Sequence, residues 1–259
     1  IYYNSSWGDS KYGQTELQMN SSHVLSIRNW CKVSLAADLQ WDRLASTNYS
    51  ASRTTVISAI STSFNLRRLS LNAAAEYSGY FDKGQASRHA ISPSMDFRVR
   101  TIESLDIVGF ARRAYRVPMF NELYYVGYGN PDLKPEDAWL TDLGVDFHKA
   151  VSRTWNLKAK IDGFFNILSN KITSAPTAED PDIWLPYNIG KVRSAGFDLV
   201  AGTDYRNGDW MGSMDLRYSY QSAVDRTPDS HSFGQQIPYL AKHTATVDLK
   251  AVWKGYSLN

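Results

Sequence analysis

At 259 residues the chain has room for one large domain or two small ones. A net charge of +2, without a run of basic residues, excludes a nucleic-acid interface built on a basic patch. No apolar stretch approaches the length of a membrane-crossing helix, but this leaves open a membrane barrel, whose strands alternate and escape that test.

The sequence's 43% apolar content fits a soluble domain or a barrel equally, whereas 16 Tyr and 8 Trp favour strands and membrane interfaces. In chain order, the first 30 or so residues carry no firm period, and Met19–Asn29 reads as a strand or an ordered loop. From there a period of two dominates. Leu69, Leu71, Ala73, Ala75 and Tyr77 alternate with Ser70, Asn72, Ala74, Glu76 and Ser78. Ile91, Met95, Phe97 and Val99 alternate with Ser92, Ser94, Asp96 and Arg98, and Trp139, Leu143, Val145 and Phe147 with Asp142, Asp146 and His148. Trp155, Leu157, Ala159, Ile161, Gly163, Phe165 and Ile167 oppose Asn156, Lys158, Lys160, Asp162 and Asn166, with Phe164 as the exception. The pattern returns at Phe197–Tyr205, Trp210–Gln221 and His243–Trp253. A helix would scatter these residues around its axis, and a strand sorts them onto two faces.

The alternation predicts about ten strands of roughly 10–14 residues, long enough to cross a bilayer at a tilt and longer than globular strands. The predicted connections alternate in length. Short ones lie near Arg67-Arg68, Arg100–Ser104, Lys149–Thr154 and Arg206–Asp209; long ones near Asp42–Thr54, Tyr80–Arg88, Arg116–Asp137, Ser169–Tyr187 and Ser222–Lys242. An antiparallel up-and-down transmembrane β-barrel has this layout, with the long set outside the cell. Trp41, Trp139, Trp155, Tyr205, Trp210 and Trp253 sit near predicted strand ends, where interfacial girdles belong.

Residues 115–147, YRVPMFNELYYVGYGNPDLKPEDAWLTDLGVDF, are more specific than any period. Arg116 and Pro118, Glu122-Leu123, Gly129-Asn130-Pro131 with Leu133, and Pro135-Glu136 before Leu143-Gly144 resemble the late-barrel signature of TonB-dependent outer-membrane receptors. Asn188–Gly196, with Gly190 and Gly196, and the segment Ile237–Thr244 match that family's pattern in the same order. The resemblance leans toward the siderophore and cobalamin branch. It implies that residues 1–259 are part of a larger barrel of about 22 strands, the rest of which lies elsewhere together with a plug domain. It further implies location in the bacterial outer membrane and contact with its lipid. The function it implies is import of a scarce nutrient complex, with TonB as a partner through the plug. No cofactor and no nucleic acid is expected.

Taken by themselves, Pro118, Pro131 and Pro135 cannot donate to a ladder and belong in a loop. Glu122 and Glu136 can pair with Arg113 or Arg116 and staple that loop, so the motif reads as architecture. Candidate ligand contacts are the loop aromatics Tyr124, Tyr125, Tyr128, Trp184, Tyr187 and Phe233, each of which reads more readily as loop packing. Lys191 and Arg193 read as contacts for an anionic ligand or as screened surface charge. None of His23, His89, His148, His231 and His243 has zinc-ligand spacing, and Cys31 is a single cysteine. Catalytic motifs are absent, so no enzyme is expected. Glu179, Asp180 and Asp182 form an acidic stretch without the glycine of a calcium loop. Two rivals remain on the residues alone: a passive outer-membrane porin, and a soluble secreted β-sandwich that binds carbohydrate.

Overall fold

A computed structural model describes residues 11–177, 179–238 and 240–258. The start of the chain, Ala178 in the acidic stretch and Tyr239 in the Ile237–Thr244 segment lie outside the described residues. The strands are β1 (Tyr12–Arg28), β2 (Cys31–Ser46), β3 (Ser50–Asn65), β4 (Leu69–Asp82), β5 (Arg88–Ile102) and β6 (Leu105–Arg116). After a one-turn helix α1 (Phe120–Tyr124) come β7 (Glu136–Ala150), β8 (Trp155–Pro176), β9 (Trp184–Asn207), β10 (Trp210–Asp225), β11 (His243–Trp253) and β12 (Tyr256–Leu258). They form one 12-stranded sheet in chain order, and neighbouring strands pair antiparallel. The outer strands β1 and β12 are its two edges and do not pair with each other. A single sheet rules out the two-layer sandwich.

Twelve strands stand where alternation gives about ten. The unassigned N-terminal stretch is β1, and β12, at 3 residues, is too short to show a period. Several strands also outrun the lengths expected from sequence, β8 reaching 22 residues and β9 reaching 24. The long connection expected at Asp42–Thr54 is only residues 47–49, and that expected at Ser169–Tyr187 is only residues 177–183. The polar residues flanking both turns continue the ladder beyond the apolar band, where an outward polar side chain meets water at little cost. The one-sided alternation of connections survives these corrections, with residues 117–135 and 226–242 the long ones at one end.

The register shifts only near two turns, at Ser26/Arg28 and Arg100/Ile102, so each strand keeps its faces from end to end. On one face Leu39 opposes Val56, Ile161 opposes Leu199, and Met214 opposes Thr203. This face is apolar and open: Leu143 is 61% exposed and Ile161 50%. A soluble protein does not present so broad an apolar wall to water, whereas a bilayer requires it. The other face carries charges that pair across strands. Arg98 donates to Asp106 at 2.7 Å and to Asp146 at 3.1 Å, and Lys158 meets Asp215 at 2.7 Å. Aromatic contacts mark the short-turn boundary of the apolar band: Trp155 with Tyr205 at 4.8 Å and Trp210 with Trp253 at 5.6 Å.

The face assignment has a measurable consequence. Leu143→Arg, in mid-strand on the apolar face, is expected to cost about 2–4 kcal/mol in urea-driven unfolding from lipid vesicles, whereas Leu66→Arg at a turn costs about 0–1 kcal/mol. Equal costs at the two positions would remove the lipid-facing assignment.

Candidate functional site

The long connection 117–135 does not stand away from the sheet but folds over its polar face. Its root is Arg116, the last residue of β6, which joins two carboxylates. The guanidinium donates from Nε to Glu136 Oε2 at 2.6 Å and from Nη1 to Glu122 Oε2 at 3.0 Å. Glu122 also accepts the Met119 N–H at 2.7 Å, closing the first turn of α1, and Glu136 Oε1 accepts the Ile172 N–H at 2.7 Å. The staple foreseen from sequence thus forms on Arg116. Arg113 instead pairs with Asp137 at 2.7 Å on the outer face.

Beyond the root, Leu123 and Leu133, each 3% exposed, pack on Ile172 of β8, with Tyr124 alongside. Asparagines fasten this small core. Asn130 Nδ2 donates to the Pro186 carbonyl, while its Oδ1 accepts the Asp132 N–H, each at 3.0 Å. Asn188 Oδ1 accepts the Lys134 N–H at 2.8 Å, and its Nδ2 donates to the Asn170 carbonyl at 2.7 Å. Pro131 sits in the turn between these ties, and the Pro135 carbonyl accepts from Asn170 Nδ2 at 3.3 Å. Gly129 has no room for a side chain: a Cβ there would stand 2.6 Å from the backbone nitrogens of Tyr124 and Tyr125. Gly196 is equally crowded, against the Tyr220 carbonyl and the Phe164 ring. Gly190 lies beneath Thr227, whose hydroxyl accepts the Lys191 N–H at 2.9 Å.

The same connection reaches the opposite side of the sheet. The Pro118 carbonyl accepts from Arg53 Nη2 of β3 at 3.0 Å. Arg53 also lies over the Phe120 ring at 5.0 Å and pairs doubly with Asp82 of β4. Tyr49 donates to Asn121 and packs on Tyr124, and Tyr12 of β1 stacks on Tyr125 at 6.0 Å. Tyr128, edge-on to Tyr125, shares a hydrogen bond of 2.7 Å with Ser174 of β8. The connection is therefore a brace between β1–β4 and β8–β9. Sequence reasoning does not single out Tyr12, Tyr49, Arg53 or Asp82, because their partners are distant in the chain and they belong to no local motif.

Of the aromatics read as ligand contacts, Tyr124, Tyr125 and Tyr128 come together on the brace, with Tyr125 exposed. Trp184 and Tyr187, at the start of β9, are exposed on opposite faces of that strand. Phe233 is exposed on the 226–242 connection beneath the Arg226 guanidinium at 5.5 Å. Lys191 and Arg193 share the outward face with Ile167 and Ser169, away from the brace. Asp225, at the loop end of β10 above the apolar band, organises the 226–242 connection. It accepts the Thr227 N–H at 2.7 Å and the hydroxyls of Ser230 at 2.9 Å and Ser232 at 2.6 Å. Burial pushes its pKa up, but these hydrogen bonds outweigh it and hold the carboxyl at about 2. The acidic stretch is a turn closed on itself, with the Asp182 N–H donating to Asp180 Oδ1 at 2.9 Å. Among the described residues no three His, Cys, Asp or Glu side chains gather as metal ligands.

Two substitutions test the brace. Arg116→Ala and Gly129→Ala are expected to raise proteolytic cleavage within 117–135 about tenfold, since one leaves two carboxylates unpaired and the other forces a backbone clash. Arg116→Lys should not restore protection, because an ammonium lacks the fork that spans both carboxylates. Cleavage unchanged in all three variants would deny the brace its anchor. For the 226–242 connection, the depressed carboxyl contributes stability above its ordinary value of about 3.9, lost as pH falls toward the folded value. Pepsin cleavage there is therefore expected to rise progressively as the pH falls from about 4 toward the folded value of about 2.

A family model described as "TonB dependent receptor-like, beta-barrel" matches residues 2–259. The vitamin B12 transporter BtuB of Photobacterium profundum is 29% identical over 163 residues, covering 59% of this chain and 25% of that protein. BtuB of Vibrio vulnificus is 23% identical over 211 residues, 76% of this chain and 33% of that protein. The chain thus spans a quarter to a third of these relatives' length. The FrpB iron transporter from Neisseria meningitidis (F3-3 variant) superimposes with a TM-score of 0.69 at 14% identity, covering 95% of this chain and 41% of that one. The Serratia marcescens hemophore receptor HasR, solved with its hemophore and heme, gives 0.68 at 16% identity, covering 93% of this chain and 49% of that one.

Proposed function

Because this chain belongs to the TonB-dependent receptor β-barrel family and is an outer-membrane barrel segment, we propose that its receptor imports a scarce, bulky nutrient complex, with cobalamin its first candidate. The observation that carries this reading is the brace. It holds Tyr124, Tyr125 and Tyr128 at the long-loop end, over the polar side of the wall, on a base tied to both flanks of the sheet. Rigid aromatic rings on a fixed base bury a large organic ligand with little loss of entropy. Two curated relatives are vitamin B12 transporters, which favours cobalamin over the other nutrients named among the structural neighbours. Trp184, at the start of β9, and Phe233, on the 226–242 connection, add exposed aromatics at the same end of the sheet. The barrel's role is binding and passage, with no covalent step. Energy reaches it from TonB through a plug domain, which distinguishes it from a passive porin.

Cells that depend on this receptor for cobalamin are expected to take up cyanocobalamin only when TonB is present. Tyr125→Ala should weaken cyanocobalamin binding to the purified receptor about tenfold, the loss of one stacked ring. Uptake that persists without TonB would overturn energy coupling. No measurable binding of cyanocobalamin would overturn the cobalamin assignment.

A further inference from the structure

At the loop end β5 and β6 separate, while each keeps its other neighbour. Their ladder runs from Ile102↔Leu105 to Ser94↔Arg112 and ends there among the described residues. In contrast, β4 stays paired with β5 up to Tyr80↔Arg88, and β6 with β7 up to Arg116↔Glu136. Continued in the same register, Pro93 would meet Arg113 and Ile91 would meet Tyr115.

Pro93 accounts for the break. Alternate residues of a strand turn their N–H and C=O toward the same neighbour. The Ile91 carbonyl faces β6, where it accepts from Arg113 Nη1 at 2.7 Å. The backbone nitrogen of Pro93 therefore faces β6 too and has no hydrogen to donate. That orientation leaves the β4–β5 ladder intact through the Ala75↔Pro93 pair. Trp139, opposite Arg113 on β7 and half exposed, marks the membrane surface, so the seam lies above the hydrocarbon.

Side chains close the seam where the ladder does not. Besides Arg113 on Ile91, Arg53 Nη2 of β3 donates to the Pro118 carbonyl at 3.0 Å, and the Tyr80 and Tyr115 rings meet at 6.1 Å. Neither arginine depends on its contact across the seam for neutrality. Arg53 keeps Asp82 on its own side, and Arg113 keeps Asp137 on the other. Opening therefore releases two carbonyls and leaves no charge unpaired. The 117–135 connection is rooted on the β6–β12 side, through Arg116 on Glu136 and through Leu123 and Leu133 on Ile172. On the β1–β5 side it is only latched, by Arg53, Tyr49 and Tyr12.

We propose that the receptor wall is jointed between β5 and β6. Its loop end swings about the Ser94–Arg112 pair. In one position the connection and its tyrosines are latched to β1–β4, and in the other they move away with β6 and β7. The joint rests on the fold of the wall, not on the identity of the nutrient.

The test uses the whole receptor in mild detergent, with Cys31→Ser, spin-labelled through Lys83→Cys and Asp132→Cys, two exposed positions on opposite sides of the seam. Double electron–electron resonance then reads their separation. Two distances are expected. Pro93→Val, which returns a donor to β6, should leave only the shorter one. Arg113→Gln should raise the ratio of longer to shorter about fivefold, the worth of one hydrogen bond. Heat-dependent gel mobility confirms that each variant is folded, and if Pro93→Val does not fold, Arg113→Gln is read alone. Labels through Asn48→Cys and Lys83→Cys, both on the β1–β5 side, should show one distance in every variant. A Lys83–Asp132 distribution that no variant shifts would overturn the joint. So would two distances between positions 48 and 83, which would mark motion of the loops alone. The measurement needs neither nutrient nor TonB, so it succeeds or fails separately from the uptake proposal.

Discussion

Every other feature of this chain depends on one constraint, that a backbone crossing hydrocarbon must satisfy its own hydrogen bonds. A continuous antiparallel ladder from β1 to β12 does this strand by strand. Once the ladder is fixed, side chains alternate between two solvents, and the register has almost no freedom, since a slip of one residue would send Asp162 and Lys160 into lipid. The same constraint makes β1 and β12 the edges of the sheet, whose outer ladder groups have no partner among the described residues.

The polar face is the second solvent and is organised by charge. Arg98 between Asp106 and Asp146, and Arg53 between Asp82 and the Pro118 carbonyl, join strands that neighbour one another only in the folded sheet. The second group does more, because it ties a connection to the wall. Through Arg53 and Tyr49 on one flank and Ser174, Pro186 and Asn188 on the other, residues 117–135 become a strut across the curved sheet. The glycines, prolines and asparagines of the family signature are explained by that strut. They shape a chain that has to turn tightly over a small core of Leu123, Leu133 and Ile172. Its aromatics are tied into the same structure, Tyr124 on that core, Tyr125 against Tyr12 and Tyr128 on Ser174.

The chain's cations divide by face. Several of those directed inward, among them Arg53, Arg98, Arg116 and Lys158, form ion pairs that hold strands or loops. Arg113 is directed outward and pairs with Asp137, while Lys191 and Arg193 face outward opposite Ser169 and Ile167, without a carboxylate partner among the described residues.

Local physics made much of this legible in advance. Period-two alternation fixes which side chains of β4, β5 and β7–β11 face lipid, because that depends only on the pleat. Prolines and glycines place the 117–135 connection, and the carboxylates at positions 122 and 136 suggest its staple. Where polar strands outrun the membrane, as in β2, β3, β8 and β9, hydrophobicity carries no signal, and connections read too long. Nor does sequence tell that Tyr187, Lys191 and Arg193 lie away from Tyr124 and Tyr128, or that Tyr12, Tyr49 and Arg53 hold the strut from across the sheet. Those facts depend on register and on the direction in which a connection folds. Both are set by contacts between residues far apart in the chain, so the tertiary structure alone decided them.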